Sequence, residues 1–419
     1  MHILYLHQYF NTLSMSGGTR SYEMARRLVQ MGHRVTVITS WREQDGRSDW
    51  FVTNEEGIEV HWLPVPYSNH MPYQDRIKAF VRFAFGAGRR AAEVKGDIVF
   101  ATSTPLTIAI PGVLASRKLK VPMVFEVRDL WPELPIAIGA LKNPVVKKVA
   151  RWLEAWAYRN SEAVVALSPG MRDGVVRTGY PADRVAVVPN SCDNADFAVD
   201  PELGRQWRAR RPWLGDRPLL AYPGTFGKIN GVGYLVDLAK ALKDVAPEVR
   251  VLLIGDGMEK PLVREKALEA GVLDVNLFME EPVSKKEMPA VFAATDMVCS
   301  LFVDMQEMQA NSANKFFDTL AAGKPILLNY GGWQAEIVSN VGCGVVTWRQ
   351  SHEQAARLVA ERLSDSVWLE QAGRASKNLG AEHFDRDMLA TKLSEVLVAA
   401  QARHGDTARS IASGNYESV

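Results

Sequence analysis

Cysteine is scarce in this chain. Its 419 residues hold three, Cys192, Cys299 and Cys343, far apart and with no CxxC spacing. That excludes a disulfide-stapled scaffold and a thiolate zinc site, and it fits a reducing compartment. No apolar run approaches the ~18 residues that span a bilayer. The opening MHILYLHQYF has no basic stretch ahead of its apolar residues, so the expectation is a cytoplasmic chain without a signal peptide. Net charge is nearly missing as well. Lys+Arg number 49 and Asp+Glu 48, giving +1, and no nucleic-acid partner is expected from that balance.

What is present is apolar material in short, regular pieces. Hydrophobic residues make up 47%, ample to offset the ordering entropy of a folded chain. Strand-like runs fall at 3–6, 34–39, 59–63, 98–102, 123–126, 163–167 and 185–188, then at 219–222, 249–254, 275–279, 297–301, 325–329 and 344–347. Amphipathic stretches of helical period separate them, which predicts βαβ units and parallel sheets covered on both faces. The fold class expected is α/β, with two facing Rossmann-like, doubly wound domains and a cleft between them. Residues 1–195 form the first domain and 218–385 the second, with 196–217 as a charged, proline-containing linker that includes a short helix. A helix over 386–402 is expected to pack back towards the first domain, ahead of a polar tail over 403–419.

Ligands of such sheets bind beyond the carboxyl ends of the strands, so the strand-end loops carry the functional reading. After the first strand, Gly17-Gly18 precedes a helical pattern. Two glycines allow close approach of backbone N–H groups to an anion at a helix N-terminus, although the G-x-G-x-x-G spacing is missing there. The second domain opens on PGTFGKINGVG, with Gly224, Lys228 and Asn230 in one loop, and a lysine there can meet phosphate as a point charge. The most specific stretch is ANSANKFFDTLAAGKP. Asn311, Ser312, Asn314 and Lys315 lie at or near a helix start, suited to a phosphate. Asp318 follows Asn314 by four residues on the same helical face, where a carboxylate can accept from both hydroxyls of a ribose. Capping by Ser312 or Asn314 is the plainer alternative. In VPMVFEVRDLWPELP a strand ends in Glu126, Arg128 and Asp129, followed by Trp131. Charges at the end of a buried strand need a ligand or a partner, the simplest partner being an Arg128–acid pair. His7 and Gln8 end the first strand. The one DxD string, Asp385-Arg386-Asp387, reads as helix capping rather than a metal clamp.

The strand–GG loop, RDLWPE, VPNSCD and NKFFDTLAAGKP together resemble the GT-B retaining glycosyltransferases of family four, in particular bacterial surface-polysaccharide enzymes of the L-fucosamine-transferase type. The resemblance covers residues 1–400. It implies a UDP-sugar donor, no cofactor, no metal, and retained anomeric configuration. It also implies that the Gly18 amide approaches the donor phosphate, that Asp318 binds ribose, and that Lys315 lies near the diphosphate. The commoner family pattern has a further glutamate eight residues before the ribose-binding one. Ala310 stands there in this chain, which leaves Glu307 as the candidate for donor-sugar contact. Arg128 and Asp129, with His7, Gln8 and Trp131 on the acceptor side, would orient donor sugar or acceptor.

The near-zero charge hides an asymmetry. Residues 1–200 carry 24 Lys+Arg against 20 Asp+Glu, leaving 25 against 28 for the rest. Within 144–158, Val145, Val149, Trp152, Leu153 and Trp156 recur at helical spacing beside Lys147, Lys148 and Arg151, and 76–90 has a similar stripe. Such stripes are ordinary core-facing helices or rest on an anionic membrane surface. The resemblance favours a glycan or polyprenyl-diphosphate-linked acceptor at the inner leaflet. A UDP-sugar epimerase of the same architecture is the alternative enzyme, and a two-domain solute-binding protein the alternative without catalysis.

Overall fold

The computed structural model describes residues 1–15, 17–66, 71 and 73–402, apart from the side chains at 73, 74, 76 and 77. The tail expected over 403–419 and part of the stripe at 76–90 lie outside the described residues. The chain divides into two compact units. Met1–Pro189 and the segment from Asp387 make the first, and Asn190–Arg386 the second.

The first unit runs β1 (His2–Leu6), α1 (Arg20–Gln30), β2 (Arg34–Trp41), β3 (Phe51–Glu55), β4 (Ile58–Pro64), α2 (Tyr73–Val94) and β5 (Ile98–Thr102). It continues through α3 (Ala109–Leu119), β6 (Met123–Val127), α4 (Glu133–Ala137), α5 (Pro144–Arg159), β7 (Ala163–Ala166), α6 (Pro169–Arg177) and β8 (Val185–Val187). Its eight strands are ordered β3-β4-β2-β1-β5-β6-β7-β8. All neighbours pair in parallel except β3 on β4. That antiparallel edge departs from the purely parallel expectation, and its cause is local. Glu56 and Gly57 both take positive φ, 49° and 88°, as a two-residue hairpin turn requires, and a turn that short cannot make a parallel crossover.

The second unit begins with α7 (Pro201–Ala209), within the segment expected as linker. Trp207 and Leu214 pack there against Leu219 and Leu252, and Gly204 lies against the backbone of Ala293. There follow β9 (Leu219–Pro223), α8 (Tyr234–Val245), β10 (Arg250–Ile254), α9 (Lys260–Glu269), β11 (Leu277–Glu280), α10 (Met288–Ala294) and β12 (Met297–Ser300). Then come α11 (Asn314–Ala321), β13 (Ile326–Leu328), α12 (Trp333–Val341), β14 (Gly344–Val346), α13 (His352–Ser364) and α14 (Ser366–His383). The six strands are parallel, in the order β11-β10-β9-β12-β13-β14. Last in the chain, α15 (Arg386–Gln401) returns to the first unit. Its Leu389, Leu393, Val396 and Leu397 are fully buried in one cluster with Ile3, Tyr5 and Val35. Among the described residues no helix is long and apolar enough to cross a membrane.

These strand orders fix where each unit can hold a ligand. The order reverses between β1 and β5 in the first sheet and between β9 and β12 in the second. Helices leaving the two strands at a reversal go to opposite faces, which opens a crevice at the carboxyl ends. The loops leading to α1, α8 and α11 therefore all start beside a crevice of their own unit.

In the second unit, backbone packs directly on backbone to support that crevice. Gly224 N–H donates to the Ile254 carbonyl at 2.8 Å and Phe226 N–H to the Asp256 carbonyl at 2.9 Å. Gly255, at φ 147°, has no room for a side chain, since a methyl would overlap the Gly224 carbonyl oxygen. Gly255→Ala combines a steric overlap with an unfavourable φ, and is expected to cost at least about 2 kcal/mol. Calorimetry should show the second unit's melting point falling by about 4–8 °C, and an unchanged melting point would refute this account of the loop.

Candidate functional site

Two opposite charges organise the carboxyl end of the first sheet. Arg20, at the first position of α1, is 2% exposed, and Glu126, near the end of β6, is 0% exposed. The guanidinium reaches Glu126 Oε1 through Nη2 at 2.8 Å and Nε at 3.1 Å. Its remaining donors go to the carbonyls of Val188, at 2.9 Å, and Pro189, at 2.5 Å, just past β8. Thr102 Oγ1, ending β5, donates to Glu126 Oε2 at 2.6 Å. Burial opposes the carboxylate's charge, but Arg20, Arg128 and the hydrogen bonds outweigh it and hold the carboxyl below its usual range. The anticipated Arg128–acid pair is thus made by Arg20 instead.

Released from that duty, Arg128 approaches His7 Nε2 at 3.4 Å and Ser21 Oγ at 3.5 Å. His7 is held neutral, its pKa pushed well below the usual value by burial first and then by Arg128 and Arg42. With Arg128 donating to Nε2, the proton sits on Nδ1, which is buried without a partner among the described residues. Gln8 Nε2 is in the same condition. Burial pushes Asp129 up to about 6, against Arg128 and a long 3.5 Å bond from Thr104. Trp131 is half-buried nearby in sequence. Polar hydrogens and a carboxyl left this short of partners suit a polyhydroxylated ligand.

The Gly17-Gly18 loop is exposed. Gly17 takes φ 121°, and a Cβ on it would sit 2.7 Å from Asn11 Nδ2. Asn11 holds the loop by donating to the Gly18 carbonyl at 3.2 Å and accepting from Arg42.

In the second unit Lys315, in the first turn of α11, turns towards β9. Its Nζ lies 3.3 Å from Tyr222 Oη and 4.7 Å from that ring's centroid. A Cβ on Gly224 would come within 2.9 Å of it. Among the described residues no carboxylate forms an ion pair with it, and burial lowers its pKa to about 8, with Asp318 opposing. The N-cap of α11 is Ala313, with no side-chain cap, so the capping by Ser312 or Asn314 anticipated above is not made. Ser312 is used otherwise, since Asn190 N–H donates to its Oγ at 3.1 Å and Asn190 Nδ2 to its carbonyl at 2.5 Å. Asn311 likewise turns inward, its Nδ2 on the Met308 carbonyl and its Oδ1 accepting from Ala313 N–H. Those two side chains build the loop, while Asn314 is exposed. One turn on, Asp318 is half-buried without a hydrogen-bond donor on its carboxyl among the described residues. Burial pushes it up to about 7, with Arg386 opposing and Asp193 adding to the rise.

The other anticipated residues are more peripheral. Lys228, in the 3-10 turn Lys228–Asn230, is exposed, and Asn230 is buried with its Oδ1 against Gly227. Glu307 is half-buried in the 3-10 turn Gln306–Ala310. Both DxD carboxylates accept side-chain donors, with Asp385 placed directly before α15. Asp385 accepts from Asn194 at 2.9 Å, and Asp387 from Arg27 at 2.5 Å. Arg386 between them makes a two-pronged bridge to Asp193, at 2.5 and 2.8 Å.

Two Rossmann-like parallel-sheet units with strand-end glycine loops and an uncapped helix define a GT-B protein. Residues 17–191 match the glycosyl transferase 4-like domain, and residues 205–379 the domain of glycosyl transferases group 1. The chain belongs to the glycosyl transferase group 1 family. An alpha-maltose-1-phosphate synthase of Mycolicibacterium smegmatis is 33% identical over 38% of this chain and 41% of its own length. An alpha-D-kanosaminyltransferase of Streptomyces kanamyceticus is 27% identical over 44% and 48%. The matches thus span under half of these two curated relatives. Among solved structures, Anabaena HepE, in complex with UDP and glucose, superposes with a TM-score of 0.70 at 17% identity, covering 95% of this chain and 100% of that one. A sucrose-phosphate synthase from Thermosynechococcus elongatus gives 0.76 at 14% identity, over 96% and 99%.

Arg20 was not a candidate from sequence, although an arginine directly after GGT and a glutamate inside a buried strand were both visible. Glu126→Gln strands a buried guanidinium and is expected to cost about 3–5 kcal/mol. The double variant Arg20→Met/Glu126→Leu should lose less than the single one, read by urea unfolding. A double variant less stable than Glu126→Gln would show that the carbonyl contacts of Arg20 matter more than its charge.

Proposed function

We propose that this chain is a retaining glycosyltransferase that moves a sugar from a UDP-sugar donor to a glycan or polyprenyl-diphosphate-linked acceptor in surface polysaccharide assembly. The observation that carries the reading is the start of α11. Among the described residues, an uncapped helix N-terminus, an ammonium with no carboxylate in ion-pair contact and a glycine whose missing side chain admits that ammonium form one cluster, with a carboxylate lacking a hydrogen-bond donor a turn away. A diphosphate needs the first three, and the two hydroxyls of a ribose suit the fourth.

The reaction requires a departing diphosphate to be stabilised beside an oxocarbenium-like sugar. Helix amides and Lys315 meet that charge electrostatically, already oriented and shielded from water, with the exposed Lys228 as a second cation. No protein nucleophile and no metal are needed in this scheme. Within the first unit, the exposed Gly17 and Gly18 amides are suited to a phosphate. His7, Gln8, Arg128 and Asp129 orient sugar or acceptor hydroxyls, with Trp131 on the acceptor side and Glu307 towards the donor sugar. The solved HepE complex with UDP and glucose supports the choice of nucleotide. The group transferred is read as an N-acetylated amino sugar, and the kanosaminyltransferase, named for an amino sugar, supports the amino part of that reading.

A thermal-shift screen of UDP-, GDP- and ADP-sugars should single out UDP, and transfer should survive EDTA with the product keeping the donor's anomeric configuration by NMR. A different nucleotide, inversion, or isomerisation of donor alone would overturn the respective part. Donor binding also carries a pH signature. Asp318 must be ionised to accept from hydroxyls, so affinity rises with pH through about 7. Lys315 must be charged, so affinity falls above about 8. Calorimetric titration of UDP should trace a bell between those values. Asp318→Asn should remove its acid limb, and Lys315→Met its alkaline limb together with about ten- to a hundredfold in affinity.

A further inference from the structure

The first unit has an outer face that the nucleotide chemistry leaves unused. The connections β4–α2–β5, β5–α3–β6 and β6–α5–β7 all step the same way across the sheet. Right-handed crossovers therefore put α2, α3 and α5 on one side. Their packing agrees, for Gly88 of α2 lies against Pro111 and Leu114 of α3, and Arg117 of α3 lies over the Trp156 ring of α5 at 6.0 Å.

This face is apolar where it should be wet. Val145, Val149 and Trp152 are 68%, 56% and 57% exposed. With Trp156, stacked on Trp152 at 5.9 Å, they form one stripe along α5 at i, i+4, i+7 and i+11. Phe85 on α2, at 67%, and Leu114 on α3, at 46%, extend it. On α3 and α5 the exposed charges have one sign, while the acids of α2, Asp75 and Glu93, are each paired with a basic neighbour on that helix. Lys148, Arg151 and Arg159 flank the stripe on α5, and Arg117 and Lys118 on α3. Helix α3 contains no acid, and the single acid of α5, Glu154, is 2% exposed.

We infer that the α2–α3–α5 face docks on anionic lipid headgroups, with Val145, Val149 and Trp152 entering the interfacial layer and the arginines and lysines resting on the headgroup charge. Charge selects this occupant. A second copy would bring lysine against lysine across a self-complementary interface, and a nucleic-acid backbone offers nothing to exposed valines. Aliphatic residues with a tryptophan, framed by basic groups, fit the interface of a negatively charged bilayer. The inference extends the reading of a lipid-linked acceptor, but its test needs no transfer activity.

The full chain is sedimented with phosphatidylcholine vesicles, with and without about 30% phosphatidylglycerol, at about 0.1 M and about 0.5 M salt. Binding is expected only with the anionic lipid, at least tenfold weaker at the higher salt. Lys148→Glu/Arg151→Glu and, separately, Trp152→Ser should each lower it about tenfold or more, while the melting point and UDP affinity stay at wild-type values. Equal binding to neutral vesicles would overturn the proposal. So would indifference to the charge reversal, or a dimer in light scattering that Trp152→Ser dissolves. Failure of the wild type to bind UDP while still sedimenting with anionic vesicles would sink the transferase reading and leave this surface standing.

Discussion

A guanidinium and a carboxylate taken fully out of water fix the working end of the first unit. Such a pair repays its desolvation only when every donor and lone pair is met, and here that demand does the arranging. Glu126 collects Arg20 and Thr102, while Arg20 collects Glu126 and the two carbonyls that follow β8. The start of α1 and the ends of β5, β6 and β8 are thereby fastened at one point. With Glu126 occupied, Arg128 two residues on is free to face His7, and the unmet polar atoms gather where a ligand would complete them.

The second unit reaches its result by subtraction rather than pairing. Missing side chains at Gly224 and Gly255 let two strand-end loops touch through their backbones, and the same vacancy at Gly224 admits Lys315. Lys315 then depends on an aromatic face and a phenol oxygen in place of a counter-ion. Buried charges without partners are costly, which is why both Lys315 and Asp318 sit displaced from their ordinary pKa values towards neutrality. An anion bearing hydroxyls would relieve both at once.

Much of this was legible in the chain because hydrophobic period and punctuation agree. Apolar strands at regular spacing, closed by glycine, determine a parallel doubly wound sheet almost by themselves, and NKFFDTLAAGKP announces its own helix start and stop. What escaped was decided by competition between residues far apart. Nothing local says that Glu126 will choose Arg20, 106 positions away, over Arg128 next door. Ser312 is a good capping residue, but Asn190, 122 positions away, takes its hydroxyl first. The hairpin at Glu56-Gly57 was missed for a different reason, since glutamate is an uncommon occupant of a left-handed turn position.

The return of α15 to the first unit has a consequence in time. A core that needs Leu389, Leu393, Val396 and Leu397 beside Ile3 and Tyr5 cannot close while the ribosome is still making the second unit. At about 5–20 residues per second, the first sheet waits roughly 10–40 seconds with that patch open to water. The second unit has no such debt and can be finished before its predecessor in the sequence. The chain is therefore completed out of order, the domain translated first being the last to lock.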